Sequence, residues 1–438
     1  MNRNALEELK RWKDAPHRKP LLVQGARQVG KTWLMREFGR QEFASVAYLN
    51  FMETQAAHAL FEGDLSPDIL LLQLSALTRT PIRPGETLLI LDEIQECERA
   101  LTSLKFFSEQ CPEYHIMAAG SLLGVALRHK NMSFPVGQVD FHELHPLSFF
   151  EFLEAMGEDL LVSMLRTHTP ETAASFRDRL TEYLKQYLYV GGMPEVVSRF
   201  TETRDYAAAR EVQRNILLGY ENDFSKYTDN RNITRIREVW RSLPVQLAKE
   251  KKFSYGKVCS GGRGRDYAEA IEWLQNCGLV YKLHRLTKPA NPLPAYAEGD
   301  AFKLFASDCG LLGAMAQLDA AAVVQGEGVF EEFKGALTEQ YVLQELRLNK
   351  HLPLAYWTTP KNTAEVDFIF GYRGALIPLE VKATLNLKAK SLAEYRAKYG
   401  PPFAVRSSLA GYGVCEGLHS IPLYLIGRLF ELLPETLS

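Results

Sequence analysis

The sequence predicts an α/β protein built from an open parallel sheet, a helical lid, a winged helix and a second α/β domain. Three observations support this fold class. Short apolar runs alternate with helical patterns in the first third of the chain, and helical periodicity follows. Near the end, two apolar runs flank a glycine-bearing turn in AEVDFIFGYRGALIPLEVKA (364–383). We place the four parts at residues 1–145, 146–228, 229–298 and 299–438.

The composition is typical of a globular protein. The chain has 438 residues, of which 46% are hydrophobic and 24% charged. It contains no uninterrupted apolar run of about 18 residues, and its first residues lack the apolar core of a signal peptide. We therefore expect a cytoplasmic protein without a membrane partner. The six cysteines form no CxxC pair, and His142 and His145 have no further ligand pair at zinc spacing, so we expect reduced thiols and no zinc site.

The segment KPLLVQGARQVGKTWLMREF matches GxxxxGK[ST] between an apolar strand and a helix. Glycines let backbone amides approach phosphate groups, and the helix N-terminus adds partial positive charge. Lys31 can reach the β- and γ-phosphates of ATP, and the Thr32 hydroxyl can ligate Mg²⁺. A plain glycine-rich turn before a helix is the alternative. The predicted nucleotide-binding residues of this loop are Gly25, Arg27, Gly30, Lys31 and Thr32.

Three further strands are predicted at SVAYLNF, ETLLILDEIQ and YHIMAAGS. Asp92 and Glu93 follow the third apolar run directly. We expect Asp92 to help hold Mg²⁺ and Glu93 to polarise the attacking water, as in nucleotide hydrolysis. Ser121 ends the fourth strand, where a polar side chain can sense the γ-phosphate. These positions agree with a P-loop ATPase sheet, which binds ligands at the C-terminal ends of its strands.

The middle of the chain is basic. Residues 231–290 carry 13 Lys and Arg against 5 Asp and Glu, whereas the whole chain has a net charge of −2. An amphipathic helix (ITRIREVWRSLPVQLAKE), a short segment and RDYAEAIEWLQNCGLVYKLHRL follow the order of a winged helix. Arg263 and Arg265 begin the last helix, where phosphate contacts are natural, so we expect them to bind DNA. A winged helix used only for packing is the alternative.

The C-terminal hairpin carries charges among its apolar residues. Glu380 and Lys382 are two apart and so share a face of the strand, and Asp367 can lie opposite them. Two close carboxylates repel each other unless a cation lies between them, and Mg²⁺ takes oxygen ligands. Lys382 can stabilise charge on a phosphate, and Glu339 on the preceding helix can add a ligand or orient one. Solvated surface charges are the alternative.

Several motifs together resemble a family of bacterial and archaeal AAA-type ATPases fused to a C-terminal domain of unknown function. They are the P-loop, LDE, AAGS, HPLSFFEFL and YLYVGGMPEVV, and the resemblance runs from about Lys19 to beyond Lys398. It implies a sensor role for Ser121 and contact of Gly192 and Pro194 with the adenine end of ATP.

The chain departs from these relatives at Gln138, near which many of them carry Gly-Arg. The arginine finger therefore has no assigned residue, and Arg99 and Arg128 are the candidates. The resemblance also implies a homo-oligomer.

The D…ExK pattern behind a helical glutamate resembles the PD-(D/E)XK nuclease fold of restriction enzymes and junction resolvases. It implies a restriction-endonuclease-like domain in which Glu339, Asp367, Glu380 and Lys382 are catalytic. Asp367 and Glu380 would hold Mg²⁺ or Mn²⁺. Val366 stands where the pattern has proline, and the same fold also occurs as a binding module.

Three functions follow from these patterns. The first is an ATP-hydrolysing DNA-binding protein with a Mg²⁺-dependent nuclease-like domain, acting on branched or structured DNA. The second is a nucleotide-controlled DNA-binding or signalling switch whose nuclease fold is catalytically silent. The third is a remodelling ATPase that acts on proteins.

Overall fold

A five-stranded parallel sheet forms the N-terminal part of the protein. The computed structural model describes residues 2–120, 135–225, 230–325, 331–349, 352–384 and 390–436. The strand order is β2-β3-β4-β1-β5, and every neighbouring pair is parallel. The strands are β1 (Leu21–Gln24), β2 (Ser45–Asn50), β3 (Thr87–Asp92), β4 (His115–Ala119) and β5 (Asp140–Glu143).

Four of these strands and their parallel arrangement confirm the sequence prediction, whereas β5 was not predicted. The central strands β3 and β4 are buried along their whole length and read as continuous apolar runs. By contrast, β5 is a short edge strand in which only His142 is buried. Its sequence, DFHE, therefore carries no clear strand pattern.

Helices cover both faces of this sheet, and two hydrophobic clusters fill the space between them. Phe38 of the helix after β1 packs against one face, and Phe107 belongs to the cluster on the other. The helices are α1 (Ala5–Lys13), α2 (Lys31–Glu42), α3 (Gln55–Glu62), α4 (Pro67–Thr78) and α5 (Glu98–Gln110), with a 3-10 helix at Ile94–Glu96.

A run of helices occupies the segment predicted as a helical lid, and its role as a lid stays a prediction. It begins with a capping box in which Ser148 and Glu151 satisfy each other's backbone amides. The helices are α6 (Phe149–Ala155), α7 (Asp159–Thr167), α8 (Arg177–Val190), α9 (Pro194–Thr203) and α10 (Tyr206–Asp223), with a 3-10 helix at Pro170–Phe176.

Three helices and an antiparallel strand pair follow. They are α11 (Asn230–Lys249), α12 (Tyr255–Val258), α13 (Gly264–Asn276), β6 (Val280–Leu286) and β7 (Glu298–Ala306), with α14 (Leu293–Tyr296) between the strands. This order agrees with the predicted winged helix, which itself stays a prediction. The strand pair does not stand apart, because β6 also pairs in parallel with a strand of the C-terminal region.

A second, mixed sheet contains eight strands in the order β12-β13-β11-β10-β9-β8-β6-β7. Its remaining strands are β8 (Leu354–Thr358), β9 (Glu365–Tyr372), β10 (Ala375–Val381), β11 (Ala404–Ser408), β12 (Gly413–Cys415) and β13 (Leu418–Pro422). The hairpin of β9 and β10 confirms the predicted strands. The predicted boundary between residues 298 and 299 falls within this sheet.

The helices of the C-terminal region are α15 (Cys309–Met315), α16 (Ala320–Gln325), α17 (Glu331–Leu346), α18 (Lys390–Tyr399) and α19 (Leu429–Leu432), with a 3-10 helix at Leu423–Arg428. One hydrophobic cluster joins the lid, the three-helix segment and the second sheet, with Phe152, Trp240 and Phe368 among its members. The last three predicted parts therefore share a core. None of the helices in the described ranges is long and apolar enough to cross a membrane.

Candidate functional site

The loop between β1 and α2 is shaped by two glycines. Gly25 has a φ of +141°, and a Cβ at this position would lie 2.3 Å from the carbonyl oxygen of Leu144. Gly30 has a φ of +98° and directly precedes α2. Both positions need glycine, Gly25 for space and conformation and Gly30 for conformation. The loop thus ends at a helix N-terminus, the end of a helix that favours an anion.

Lys31 is folded back onto this loop. Its Nζ donates to the carbonyl oxygens of Gly25 and Ala26, both at 2.9 Å, and the residue is only 7% exposed. Burial lowers the pKa of Lys31 to about 8, although the charges of Glu93 and Asp92 oppose that change. Lys31 therefore places an ammonium group beside the loop, and this group loses its proton more readily than that of an ordinary lysine.

Thr32 and Asp92 meet at the C-terminal edge of the sheet. The Thr32 hydroxyl donates to Asp92 Oδ2 at 2.6 Å, and Tyr48 donates to the same oxygen at 3.0 Å. Glu93 follows with a φ of +51°, and its carboxylate accepts from Gln95 Nε2 at 2.6 Å. A hydroxyl and a carboxylate at hydrogen-bond distance are the hard oxygen ligands that suit Mg²⁺, so these residues fit the predicted ion.

The helical lid closes over the same loop. Arg27 forms an ion pair with Asp223 of α10, and Tyr220 donates to the Arg27 carbonyl at 2.8 Å. The Cγ of Pro194 lies 3.5 Å from the position of a Cβ at Gly30. The turn of Gly192 and Pro194, predicted to contact the adenine end of ATP, thus lies beside the loop between β1 and α2, which we call the nucleotide loop. Arg27 of this loop contacts the lid.

A residue that the sequence analysis missed anchors this turn. Asp308 accepts a hydrogen bond from the Gly192 amide at 2.6 Å and caps α15 through the Leu311 amide at 2.9 Å. A Cβ at Gly191 would lie 2.2 Å from Asp308 Oδ1. Burial raises the pKa of Asp308 to about 6. An Asp that opens a helix is a sequence signal for a cap, but not for this long-range contact.

Three further residues were predicted for the ATP site, namely Ser121 as the sensor and Arg99 and Arg128 as candidates for an arginine finger. Ser121 and Arg128 lie outside the described residues. The Arg99 guanidinium donates to the carbonyl oxygens of Phe61 and Gly63 in its own domain. This chain's own fold therefore already engages Arg99.

The four charged residues predicted around the C-terminal hairpin do come together. Lys382 Nζ lies 2.5 Å from Glu380 Oε1, and the Val381 amide donates to Asp367 Oδ2 at 2.7 Å. Glu339 of α17 acts electrostatically on Asp367, Glu380 and Lys382. Only 4% of Glu380 is exposed, which disfavours a set of solvated surface charges.

Two residues of this cluster were not predicted. Lys303 of β7 lies 2.9 Å from Glu339 Oε2, and 2.6 Å from Glu365 Oε1 at the start of β9. Its side chain is 8% exposed and passes over the ring of Tyr356, with Nζ 5.3 Å from the ring centre. A single lysine in the apolar run AFKLFA is the sequence signal that could have drawn attention to it.

The charges of the cluster shift one another's pKa values. Burial raises the pKa of Asp367 well above its ordinary value, and Glu339 and Glu380 act in the same direction. Burial also raises the pKa of Glu380, against the opposing effect of Lys382. For Lys303 burial acts to lower the pKa, but the neighbouring carboxylates outweigh it and raise the pKa. The buried carboxylates of the cluster thus repel one another, and an added cation would stabilise their charged forms.

Within the described ranges, no group of three or more His, Cys, Asp or Glu side chains is arranged to hold a metal ion. Two carboxylates still suffice for Mg²⁺ when phosphate oxygens and water complete its ligands. Glu380 Oε2 is buried and accepts no hydrogen bond from any residue in the described ranges. Asp367 and Glu380 therefore offer a donor set compatible with the predicted ion.

Arg263 and Arg265 are exposed at the start of α13. Arg235 of α11 lies beside them in the chain's basic segment, where it pairs with Asp266 at 3.4 Å. The two predicted DNA contacts are therefore accessible and lie at a helix N-terminus, as expected for phosphate contacts.

Three families match separate parts of the chain. Residues 17–153 match a family described as an AAA domain. Residues 181–322 and 334–429 match two domains of unknown function, DUF8612 and DUF4143. The predicted AAA-type domain and the C-terminal domain of unknown function are thus confirmed, whereas the nuclease-like core stays a prediction. No curated protein sequence matches the chain.

Several solved structures are similar to the chain. The Walker-type ATPase PABY2304 of Pyrococcus abyssi has 14% identity over 72% of this chain and 95% of that one, with a TM-score of 0.45. The ORC2 protein of Aeropyrum pernix has 14% identity over 76% and 93%, with a TM-score of 0.38. The RuvB Holliday junction branch migration motor of Thermotoga maritima has 15% identity over 64% and 90%, with a TM-score of 0.30. These scores are too low to support an inference of function.

Proposed function

We propose that this protein is an AAA-type ATPase that hydrolyses ATP and acts on DNA. The observation that carries the proposal is the meeting of Lys31, Thr32, Asp92 and Glu93 at the edge of a parallel sheet, in a segment that matches an AAA domain. Phosphoryl transfer to water needs a cation that binds the phosphates, oxygen ligands that hold Mg²⁺ and a carboxylate that positions the water.

Each residue has a distinct role in this proposal. Lys31 exchanges its bonds to the loop carbonyls for bonds to the β- and γ-phosphates. Thr32 and Asp92 hold Mg²⁺, which neutralises charge on the phosphates when it is bound. Glu93 orients and polarises the attacking water, and its left-handed backbone is the local strain often found at functional positions. Ser121 stays a proposed sensor.

The ATPase assignment is tested with Lys31→Ala and with the exposed Lys105→Ala of α5 as a matched control. We expect Lys31→Ala to lower phosphate release about 100-fold or more, as for loss of one transition-state contact. Lys105→Ala should retain wild-type turnover, and both variants should melt cooperatively. Unchanged turnover in Lys31→Ala overturns the assignment of the loop.

The DNA contact is proposed for the basic segment that contains Arg263 and Arg265. Two features support it, namely the local excess of positive charge and the exposure of both arginines at the start of α13. Removing both should reduce the slope of log affinity against log salt by about 2, because each phosphate contact releases counterions. The control is a double alanine variant of Arg199 and Arg214, which are exposed in the lid. An unchanged slope removes this segment from the DNA surface.

A metal-dependent, PD-(D/E)XK-like nuclease site is proposed for the cluster of Asp367, Glu380, Lys382 and Glu339. Its support is the convergence of these charges on one end of a hairpin. Asp367 and Glu380 would hold Mg²⁺ or Mn²⁺ with phosphate oxygens, and Lys382 would stabilise charge that develops on the phosphate. Cleavage of single-stranded, duplex and four-way branched DNA tests this, with Asp367→Ala and Lys382→Ala beside the wild type. Cleavage that survives in both variants contradicts the site.

A nucleotide-controlled DNA-binding switch with a silent nuclease fold is the second candidate, and one observation favours it. Asp308 joins the turn at Gly192 to α15 of the C-terminal region. Gln344 of α17, the helix that carries Glu339, accepts from the Cys309 amide at 3.0 Å. The Gly192 turn, which lies beside the nucleotide loop, is thus hydrogen-bonded through Asp308 and the Cys309 amide to the helix that carries Glu339. DNA affinity that differs between ATP- and ADP-bound protein, without cleavage, supports this candidate.

A homo-oligomer also belongs to this proposal, because many AAA-type sites are completed by a neighbouring subunit. Sedimentation with and without ATP tests it. A protein that remains monomeric in both conditions requires a site that works with its own residues alone.

A further inference from the structure

The proposed chemistry gives no role to Lys303, the lysine of β7 that lies in the cluster with Glu339, Glu365, Asp367 and Glu380. It enters from β7, which belongs to the strand pair before the C-terminal region. Its ammonium group pairs directly with Glu339 and Glu365, at 2.9 and 2.6 Å. Only 8% of its side chain is exposed. Two close ion pairs thus fix this cation inside the cluster.

The cluster is not saturated by its two lysines. Lys382 pairs with Glu380 Oε1, whereas the other oxygen of that carboxylate, Glu380 Oε2, is buried and has no hydrogen-bond partner among the residues that the structure describes. Within the described part of the chain, four carboxylates therefore face two ammonium groups and retain one acceptor oxygen without a donor. A cluster with a purely structural role would be expected to contain as many ammonium groups as carboxylates, because a buried charge is costly unless it is paired.

We propose that the ammonium group of Lys303 is the built-in counter-ion of this cluster and competes with a divalent cation for it. The inference rests on the proposed function of the cluster as a metal-dependent site. A metal ion held by Glu339, Asp367 or Glu380 would lie beside the Lys303 charge and be repelled by it. The metal binds weakly while Lys303 is paired and tightly when Lys303 is withdrawn.

The test is Mn²⁺ binding to the full chain without nucleotide, followed by the electron paramagnetic resonance signal of the free ion. Lys303→Met keeps the length of the side chain and removes its charge, whereas Lys303→Arg keeps the charge. We expect Lys303→Met to bind Mn²⁺ about tenfold tighter or more, since repulsion by one charge at this range exceeds that factor. Lys303→Arg should bind as weakly as wild type.

Two double variants give the matched controls. The variant that combines Lys303→Met with Glu365→Gln has the net charge of the wild-type cluster. If its Mn²⁺ affinity is still higher than that of wild type, removal of the Lys303 ammonium group matters in itself and not only through net charge. Lys303→Met with Asp367→Asn should lose the gain. A gain that persists in this second variant places the metal elsewhere and overturns the proposal.

Folding provides an independent measurement. Unpaired carboxylates should lower the melting temperature of Lys303→Met, and Mn²⁺ should raise it more than it raises that of wild type. If Lys303→Met does not fold, the charge-matched variant with Glu365→Gln takes its place. Wild-type protein that already binds Mn²⁺ tightly through Asp367 overturns the inference, whatever the variants do.

Cleavage assays separate this inference from the function on which it rests. Tighter metal binding in Lys303→Met without DNA cleavage supports the competition and removes the nuclease proposal. A different result keeps the nuclease proposal and overturns the competition. In that result the wild type cleaves DNA and binds Mn²⁺ tightly, and Lys303→Met does not change the Mn²⁺ affinity.

Discussion

The affinity for ATP should depend on pH through Lys31. In the protein without nucleotide, burial lowers the pKa of this lysine to about 8. Phosphate oxygens favour the ammonium form, so ATP binding raises that pKa again. The change in affinity follows from linkage, because only the protonated lysine offers its charge to the phosphates. Affinity is therefore full below pH 8 and is lost as the pH rises through 8.

The size of the effect follows from the same pKa. With a pKa of about 8, about 90% of Lys31 is protonated at pH 7 and about 10% at pH 9. The apparent affinity should accordingly fall about tenfold over this interval, and close to tenfold for each further unit until the pKa of the bound state is reached. An unperturbed lysine would produce almost no change below pH 9.5.

The assay is titration with a fluorescent ATP analogue from pH 7.0 to 9.5 at constant ionic strength and Mg²⁺. Lys31→Arg is the control, since a guanidinium stays charged throughout this range. It should give a flat profile, although at lower affinity. A wild-type profile that is flat between pH 7 and 9 refutes the reasoning, and so does an equal fall in Lys31→Arg.

Three further predictions concern the contacts around the lid. Gly192→Ala should destabilise the protein by about 1–3 kcal/mol in urea unfolding, because its Cβ would lie 2.2 Å from the Leu147 carbonyl oxygen; wild-type stability would contradict this contact. Asp308→Ala should cost about 3 kcal/mol, from a lost helix cap and an unpaired buried amide, and Asp308→Asn should cost less because it keeps one acceptor. Burial raises the pKa of Glu345 to about 8, so wild-type stability should fall as the pH rises from about 4.5 to 8. Glu345→Gln, which can still accept from the Phe149 amide, should flatten that profile in thermal unfolding, and an unchanged slope would rule out Glu345 as its source.

The nucleotide loop was predictable because its parts are local. Gly25 lies in the loop after β1, and Lys31 and Thr32 begin the helix that follows, so that the spacing along the chain fixes the spacing in space. Asp92 was predictable for a related reason. Parallel strands bring their C-terminal ends to one edge, so an acid after an apolar run belongs beside the loop.

The hairpin cluster was predictable in part. The alternation of side chains along β10 and the residue after it sets Glu380 and Lys382 on one face. The antiparallel register pairs Leu379 with Phe368, so the next residues, Glu380 and Asp367, are opposite each other. Lys303 was not predictable, because β7 lies in the same sheet as β9 but is separated from it by β8 and β6, an order that the sequence pattern does not give. Glu365 was not predictable for the same reason, because its partner Lys303 lies on β7.

The sequence by itself determined the parallel sheet, the P-loop, the helical lid and the charged hairpin, because each depends on a local pattern of apolar residues, glycines and charges. Only the tertiary structure decided that Arg27 meets Asp223, that Asp308 holds the Gly192 turn and that Lys303 enters the carboxylate cluster. The first two contacts join residues 196 and 116 positions apart. A buried charge requires a partner, but its own sequence neighbourhood does not say which distant element supplies that partner.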